Sequence, residues 1–136
     1  MLPQLRAGDE TVEVAEVTNS SLAEMHCVPC RGGVPPLTAA EIEPLLAQLD
    51  EGWTVEDGRK LVKSFKVRNF VAAMELANAI APVAEAEGHH PDLYVRYGEL
   101  RVDLWTHKID GLAESDFIMA AKIDRACAEK SAAGAR

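Results

Sequence analysis

The chain has 136 residues, 48% of them apolar, enough for one packed core and too few for two comfortable ones. Its formal net charge of −8 at pH 7 argues against phosphate-backbone binding, which needs a Lys/Arg surface, and leaves neutral or cationic small molecules as the easier partners. No apolar run approaches the roughly 20 residues that cross a bilayer, and the N-terminus MLPQLRAGDETVEVAE lacks the apolar core of a signal peptide. The expectation is a cytoplasmic protein, with no membrane partner and no nucleic acid bound directly.

Residues 1–36 hold no persistent helical or strand period and end in the breaker cluster Gly32-Gly33-Val34-Pro35-Pro36. This predicts a flexible or loosely docked arm. Its one chemical feature is Cys27-Val28-Pro29-Cys30, spaced as half a zinc site or a redox pair. Only Cys127 and scattered histidines remain to complete four zinc ligands, and no strand-to-helix context marks a redox motif, so the pair reads as plain thiols beside a turn. Three cysteines in a reducing compartment predict no disulfide. Met25, just ahead of the motif, is a second candidate start.

One domain is expected over residues 37–128, with a C-terminal tail over 129–136. Thr38-Ala39-Ala40-Glu41 fits a capping box, and Ile42, Leu45, Leu46 and Leu49 then form one helical stripe, with Pro44 predicting a kink or a later regular start. After Gly52 the period changes to alternation. Trp53 and Val55 precede Asp57-Gly58, and Leu61, Lys63 and Phe65 follow, which predicts a β-hairpin. Asn69 suits the cap of a second helix whose predicted core stripe is Phe70, Ala73, Met74, Ala77, Ile80, Ala81 and Ala84; Pro82 should bend it and Gly88 end it.

A second hairpin sets Leu93, Val95 and Tyr97 beside Leu100, Val102 and Leu104. With Gly98-Glu99 as the turn, Tyr97 opposes Leu100, Arg96 opposes Arg101, Tyr94 opposes Asp103 and His90 opposes His107. A last helix follows with Met119, Ala120, Ile123 and Cys127 on one stripe and Asp116 in its first turn. The predicted fold is α+β, in the order α-β-β-α-β-β-α, with a four-stranded antiparallel sheet and helices packed on one face. The other face, with Arg101, Asp103, Trp105 and His107, is either wet or a binding surface.

Chemistry concentrates between Glu85 and Asp116, which hold His89, His90 and His107, three of the four histidines. Histidine is the side chain best poised to move a proton near neutral pH, and a positioned acid or base is worth roughly 10²- to 10⁴-fold in rate. Pro91 restricts His90 to extended geometry. Glu85, one turn before His89, is placed to accept a hydrogen bond from an imidazole, and Asp116 to do the same for His107. Blander roles stand beside these: a surface position for His26, a solvated helix face for Glu85 and Glu87, a dipole or cap role for Asp116, packing for Trp105. His89, His90 and His107 also have the ligand types of a catalytic zinc site, although adjacent histidines diverge along an extended chain.

Glu85-Ala86-Glu87-Gly88-His89-His90-Pro91, Tyr94, Thr106-His107, Gly111-Leu112 and Asp116 together resemble the signature of the pterin-4a-carbinolamine dehydratases. The resemblance runs from about Leu37 to Ala126 and includes Gly52-Trp53 and the Phe65 to Phe70 region. Cys27 to Gly33 is similar to a lead-in found in the family's bacterial branch. The resemblance implies a hydro-lyase that dehydrates 4a-hydroxytetrahydropterin to quinonoid dihydropterin in tetrahydropterin recycling, with no metal and no cofactor. It implies a pterin site lined by His89, His90 and His107, with Glu85 and Asp116 as supporting carboxylates. His89 and His107 are then expected as the acid-base groups, with His90 orienting the ring. Pro91, which stiffens the histidine pair, and Trp105, on the face of His107, complete the predicted substrate-orienting set. A helix-on-sheet fold and a homodimer or homotetramer are implied as well.

Two departures from the family's pattern matter. Many members carry Ser or Thr where Ala113 stands, which implies a lost cap worth about 0.5–2 kcal/mol and a less firmly held Asp116. Ser115 stands where relatives often have a basic or polar residue, which implies an altered substrate affinity. The alternative function implied is a non-catalytic binding or assembly factor, such as a transcription-factor dimerisation cofactor or an assembly chaperone for a carbon-fixing enzyme. The complete set of histidines and carboxylates favours the enzyme, whereas an exposed apolar patch on the sheet or first helix that survives in the oligomer would favour the scaffold.

Overall fold

Thr38 opens the first helix as a capping box. Its hydroxyl accepts from the Glu41 N–H at 3.3 Å, and the Glu41 carboxylate accepts from the Thr38 N–H at 2.8 Å. The computed structural model describes residues 22–28 and 32–134. Its elements are α1 (Ala39–Leu46), β1 (Thr54–Glu56), β2 (Lys60–Lys66), α2 (Phe70–Glu87), β3 (Asp92–Arg96), β4 (Glu99–Leu104), a 3₁₀ turn (His107–Ile109) and α3 (Glu114–Gly134). This is the α+β order read from the sequence. Pro44 and Pro82 lie inside α1 and α2, and both helices continue past them. Cys30, and with it the thiol pair as a pair, lies outside the described residues, as does most of the N-terminal arm.

The four strands form one antiparallel sheet in the order β1-β2-β4-β3. Thr54 opposes Val62 in the first hairpin and Leu61 opposes Leu104 at the centre. The register of the second hairpin differs from the predicted one by two residues: Arg96 opposes Glu99, Tyr94 opposes Arg101, and Asp92 opposes Asp103. The turn residues are Tyr97 and Gly98 rather than Gly98 and Glu99, because the left-handed conformation falls on Gly98, at φ 80°. This register removes the predicted clash of Arg96 with Arg101. Arg96 Nε instead lies 3.4 Å from the Glu99 carboxylate, and Arg101 Nε donates to Asp103 at 2.7 Å. It also removes the predicted pairing of His90 with His107, since β4 ends at Leu104 and His107 sits in the 3₁₀ turn.

Strand alternation puts Leu61, Leu100, Val102 and Leu104 on the helix face, all fully buried. They meet Ile80 and Ala84 of α2 and Phe117, Ile118, Met119, Ile123 and Cys127 of α3 in one core. Each such aliphatic or aromatic side chain contributes about 1.5–3 kcal/mol by leaving water. The buried stripe of α2 is Ala73, Leu76, Ile80 and Ala84. Phe70 and Met74, predicted to face the core, are exposed, as is Val71, and Leu76 takes the inward position instead. Lys63 lies on the core side of β2. Its Nζ donates to Asp124 at 2.7 Å and sits over the Trp53 and Phe65 rings, while Trp53 Nε1 donates to the other Asp124 oxygen at 2.9 Å.

Within the arm, Leu22 and Ala23 are buried in the core, and Lys122 Nζ donates to the Ala23 carbonyl at 2.8 Å. Farther on, the Leu37 N–H donates to the Leu112 carbonyl at 2.8 Å. These bonds join Ala23 to α3 and Leu37 to the Gly111 loop.

Candidate active site

Three chain turns bring the site together. The first is the end of α2, where Gly88 adopts the left-handed conformation at φ 64° and its N–H returns to the Ala84 carbonyl. His89 and His90 leave the helix there, and Pro91 leads them into β3. The second turn follows β4: the Thr106 N–H donates to the Gly111 carbonyl at 2.8 Å, closing a short loop that carries His107. The third is the start of α3, which holds Asp116 in its first turn.

Asp116 is completely buried, and three donors converge on it. His89 Nε2 lies 2.7 Å from one carboxylate oxygen; the other accepts from the Thr106 hydroxyl at 2.7 Å and from the Ala113 N–H at 2.9 Å. Ala113 supplies no side-chain cap, and its N–H is one of the groups that hold Asp116. Asp116 holds His89 rather than the expected His107, while Glu85 does accept from an imidazole, that of His90 at 2.8 Å. The i, i+4 spacing from Glu85 to His89 has no force because α2 ends at Glu87 and Gly88 turns the chain.

With Asp116 as acceptor, His89 donates through Nε2 and keeps Nδ1 as the nitrogen available to take a proton. The Glu85–His90 pair is solvated, with side chains 77% and 59% exposed. The His107 ring packs on Trp105 at 4.1 Å between centroids. The Trp105 indole N–H is buried and has no hydrogen-bond partner among the described residues, and Lys60 Nζ stands 5.7 Å above that ring.

A cavity of about 440 Å³ is lined by His89, His90 and His107 with Trp105, Thr106 and Lys108, and its volume is that of a small-molecule cleft. Glu85, Pro91 and Asp116 are not in this lining; Asp116 is buried beneath it and Glu85 stands in solvent. No cluster of three or more His, Cys, Asp or Glu suited to a metal ion forms among the described residues, so the three imidazoles share the cavity without converging on one point.

The structure gives partners that the sequence did not assign to Thr106, Glu87, Ser115, Val28 and Cys27. Thr106 is buried and fixes Asp116. Glu87, read as part of a solvated helix face, accepts from the Cys27 N–H at 2.8 Å and pairs with His26 at 3.1 Å and Lys122 at 3.4 Å. The Cys27 N–H first, then His26 and Lys122, hold its carboxyl below the ordinary range, against the opposing effect of burial. Ser115 accepts from the Val28 N–H at 3.0 Å and donates to the Val28 carbonyl at 3.3 Å. Val28 itself lines the histidine cavity, as does Cys27, whose thiol is pushed up to about 11, chiefly by burial and further by Glu87. Ser115 stood out in the sequence only as a departure from the family's pattern, which named no partner for it.

The family model described as Pterin 4 alpha carbinolamine dehydratase matches residues 35–126. A provisionally named pterin-4-alpha-carbinolamine dehydratase of Rickettsia bellii is 53% identical over 104 residues, covering 76% of this chain and 92% of its own. A counterpart under the same name in Rubrobacter xylanophilus is 51% identical over 106 residues, covering 78% and 98%. The crystal structure of a transcriptional coactivator/pterin dehydratase from Brucella melitensis superposes with a TM-score of 0.62 at 34% identity, over 68% of this chain and 98% of that one. The match runs from ahead of α1 into α3 and includes the cavity residues from Glu87 to Lys108, and the chain belongs to the pterin-4-alpha-carbinolamine dehydratase family.

Proposed function

We propose that the protein is a hydro-lyase that removes water from 4a-hydroxytetrahydropterin to give quinonoid dihydropterin, in the recycling of tetrahydropterin. The observation that carries this reading is the 2.7 Å pairing of His89 with the buried Asp116 carboxylate in a cavity that His90 and His107 also line. In the reaction the electron pair on N5 forms the C4a=N5 double bond as the C4a–O bond breaks. One group must protonate the departing hydroxyl so that it leaves as water, and another must take the proton from N5. His89 takes the N5 proton on Nδ1, and the Asp116 carboxylate stabilises the resulting imidazolium. His107, exposed at the cavity and packed on Trp105, gives its proton to the leaving hydroxyl. His90, held by Glu85, orients the ring.

A non-catalytic binding or assembly factor has no physical need for a buried carboxylate aimed at an imidazole, which weighs against the alternative. The reaction belongs in the cytoplasm, and exposed Phe70, Val71 and Met74 on α2 support self-association as a homodimer or homotetramer.

The test is the rate of dehydration of freshly generated 4a-hydroxytetrahydropterin, followed by ultraviolet absorbance. Wild type should accelerate it, with the acceleration reduced roughly 10²-fold or more in His89→Ala and His107→Ala. A folded wild type that adds nothing to the uncatalysed rate would sink the enzyme reading.

A further inference from the structure

Cys27 and Val28 lie outside the span matched by the family model, yet they line the histidine cavity. Cys27 is fixed through its N–H to Glu87, and its thiol donates to the Ser115 carbonyl at 3.5 Å. Val28 is fixed at both backbone groups by the single hydroxyl of Ser115. Glu87 closes α2 one residue before Gly88, and Ser115 precedes Asp116 in α3, so the two anchors are direct neighbours of the elements that carry His89 and its carboxylate.

The Val28 side chain is 72% exposed despite this fixed backbone. A lone exposed valine needs no explanation on most surfaces. This one lines the 440 Å³ histidine cavity and also a neighbouring 400 Å³ cavity that has His89, Thr106 and Ile118 in its wall. An apolar side chain with an immobilised backbone beside an acid-base histidine loses little conformational freedom when a flat ring covers it, and the covering removes apolar surface from water.

We propose that Val28 is a substrate contact supplied by the N-terminal arm, held at the lip of the histidine cavity by Glu87 and Ser115 so that it packs on the bound pterin ring and sets substrate affinity. This rests on the dehydratase reading above. Val28 is the contact; Glu87 and Ser115 are positioning residues that act through it.

The full chain carrying Val28→Ala, Val28→Ile or Ser115→Ala tests this in two measurements: steady-state dehydration, and binding of 7,8-dihydrobiopterin followed by tryptophan fluorescence. Val28→Ala should raise KM and the dihydrobiopterin Kd together, by about fivefold, with kcat within twofold of wild type. Ser115→Ala should move both constants in the same direction, and Val28→Ile should stay near wild type. Unchanged constants in Val28→Ala, or a fall in kcat with KM unchanged, would overturn the proposal while leaving an active wild type and the dehydratase reading intact. A wild type that neither turns over the carbinolamine nor binds dihydrobiopterin fails the dehydratase reading itself, and the arm contact falls with it.

Discussion

Asp116 and His89 are 27 residues apart in sequence and 2.7 Å apart in space, at a carboxylate that water does not reach. Asp116→Asn keeps the shape but turns one oxygen into a donor, in a site where three donors already converge. Either His89 loses its acceptor or the Thr106 and Ala113 groups lose theirs. The variant should be less stable by about 1–3 kcal/mol in urea titration, and its kcat should fall by roughly 10²-fold or more. A variant with wild-type kcat would show that His89 does not depend on this carboxylate.

Glu85→Gln makes the contrasting case. The Glu85–His90 pair has similar geometry, at 2.8 Å, but it stands in solvent. Exposed ion pairs contribute at most about 1 kcal/mol, so the thermal midpoint of Glu85→Gln should barely move and its kcat should fall far less than that of Asp116→Asn. Equal losses in the two variants would mean that burial is not what separates the two histidines.

The sequence made the elements legible because their signals are local: the Thr38–Glu41 box, Asp57-Gly58, Asn69 and Gly88 all act where they were read. The two-residue slip in the second hairpin kept the strand side chains on their faces, since strand alternation has a period of two, and moved Tyr97 into the turn, so the buried set of β4 was right while its partners were wrong. The histidine partners were not legible. Asp116 reaches His89 only through the packing of α3 on α2, and no spacing encodes that approach. Lys63 did carry a signal, a charged residue in register with Leu61 and Phe65, but its counter-charge lies 61 residues away.

That buried pair gives a stability prediction. Asp124→Ala leaves the Lys63 ammonium and the Trp53 N–H buried without their acceptor, at a cost of about 3–5 kcal/mol. Lys63→Met combined with Asp124→Leu removes both charges and should recover most of the loss. Burial holds Asp124 above its ordinary value of 3.8 in spite of both bonds. Its charge therefore costs stability above the folded value, and the cost disappears as pH falls below 3.8. Urea midpoints at neutral pH decide the mutational prediction, and a double variant as unstable as Asp124→Ala would refute it.

Glu87 carries the opposite sign, and its consequence is local to the arm. The Cys27 N–H, with His26 and Lys122, depresses its carboxyl below the ordinary 4.5, so the bond to the arm gains its full stabilisation above 4.5 and loses it as pH falls through the lower, folded value. Amide hydrogen exchange, corrected for the intrinsic rate at each pH, should show protection at Cys27 and Val28 dropping as pH falls below 4.5, while Val102 in the centre of the sheet stays protected. In Glu87→Gln the Cys27 and Val28 amides should exchange faster at pH 5 than in wild type and show no such drop. Protection that falls together at Cys27 and Val102 would mean that acid unfolds the domain as a whole, with the Glu87 contact having no separate role in holding the arm.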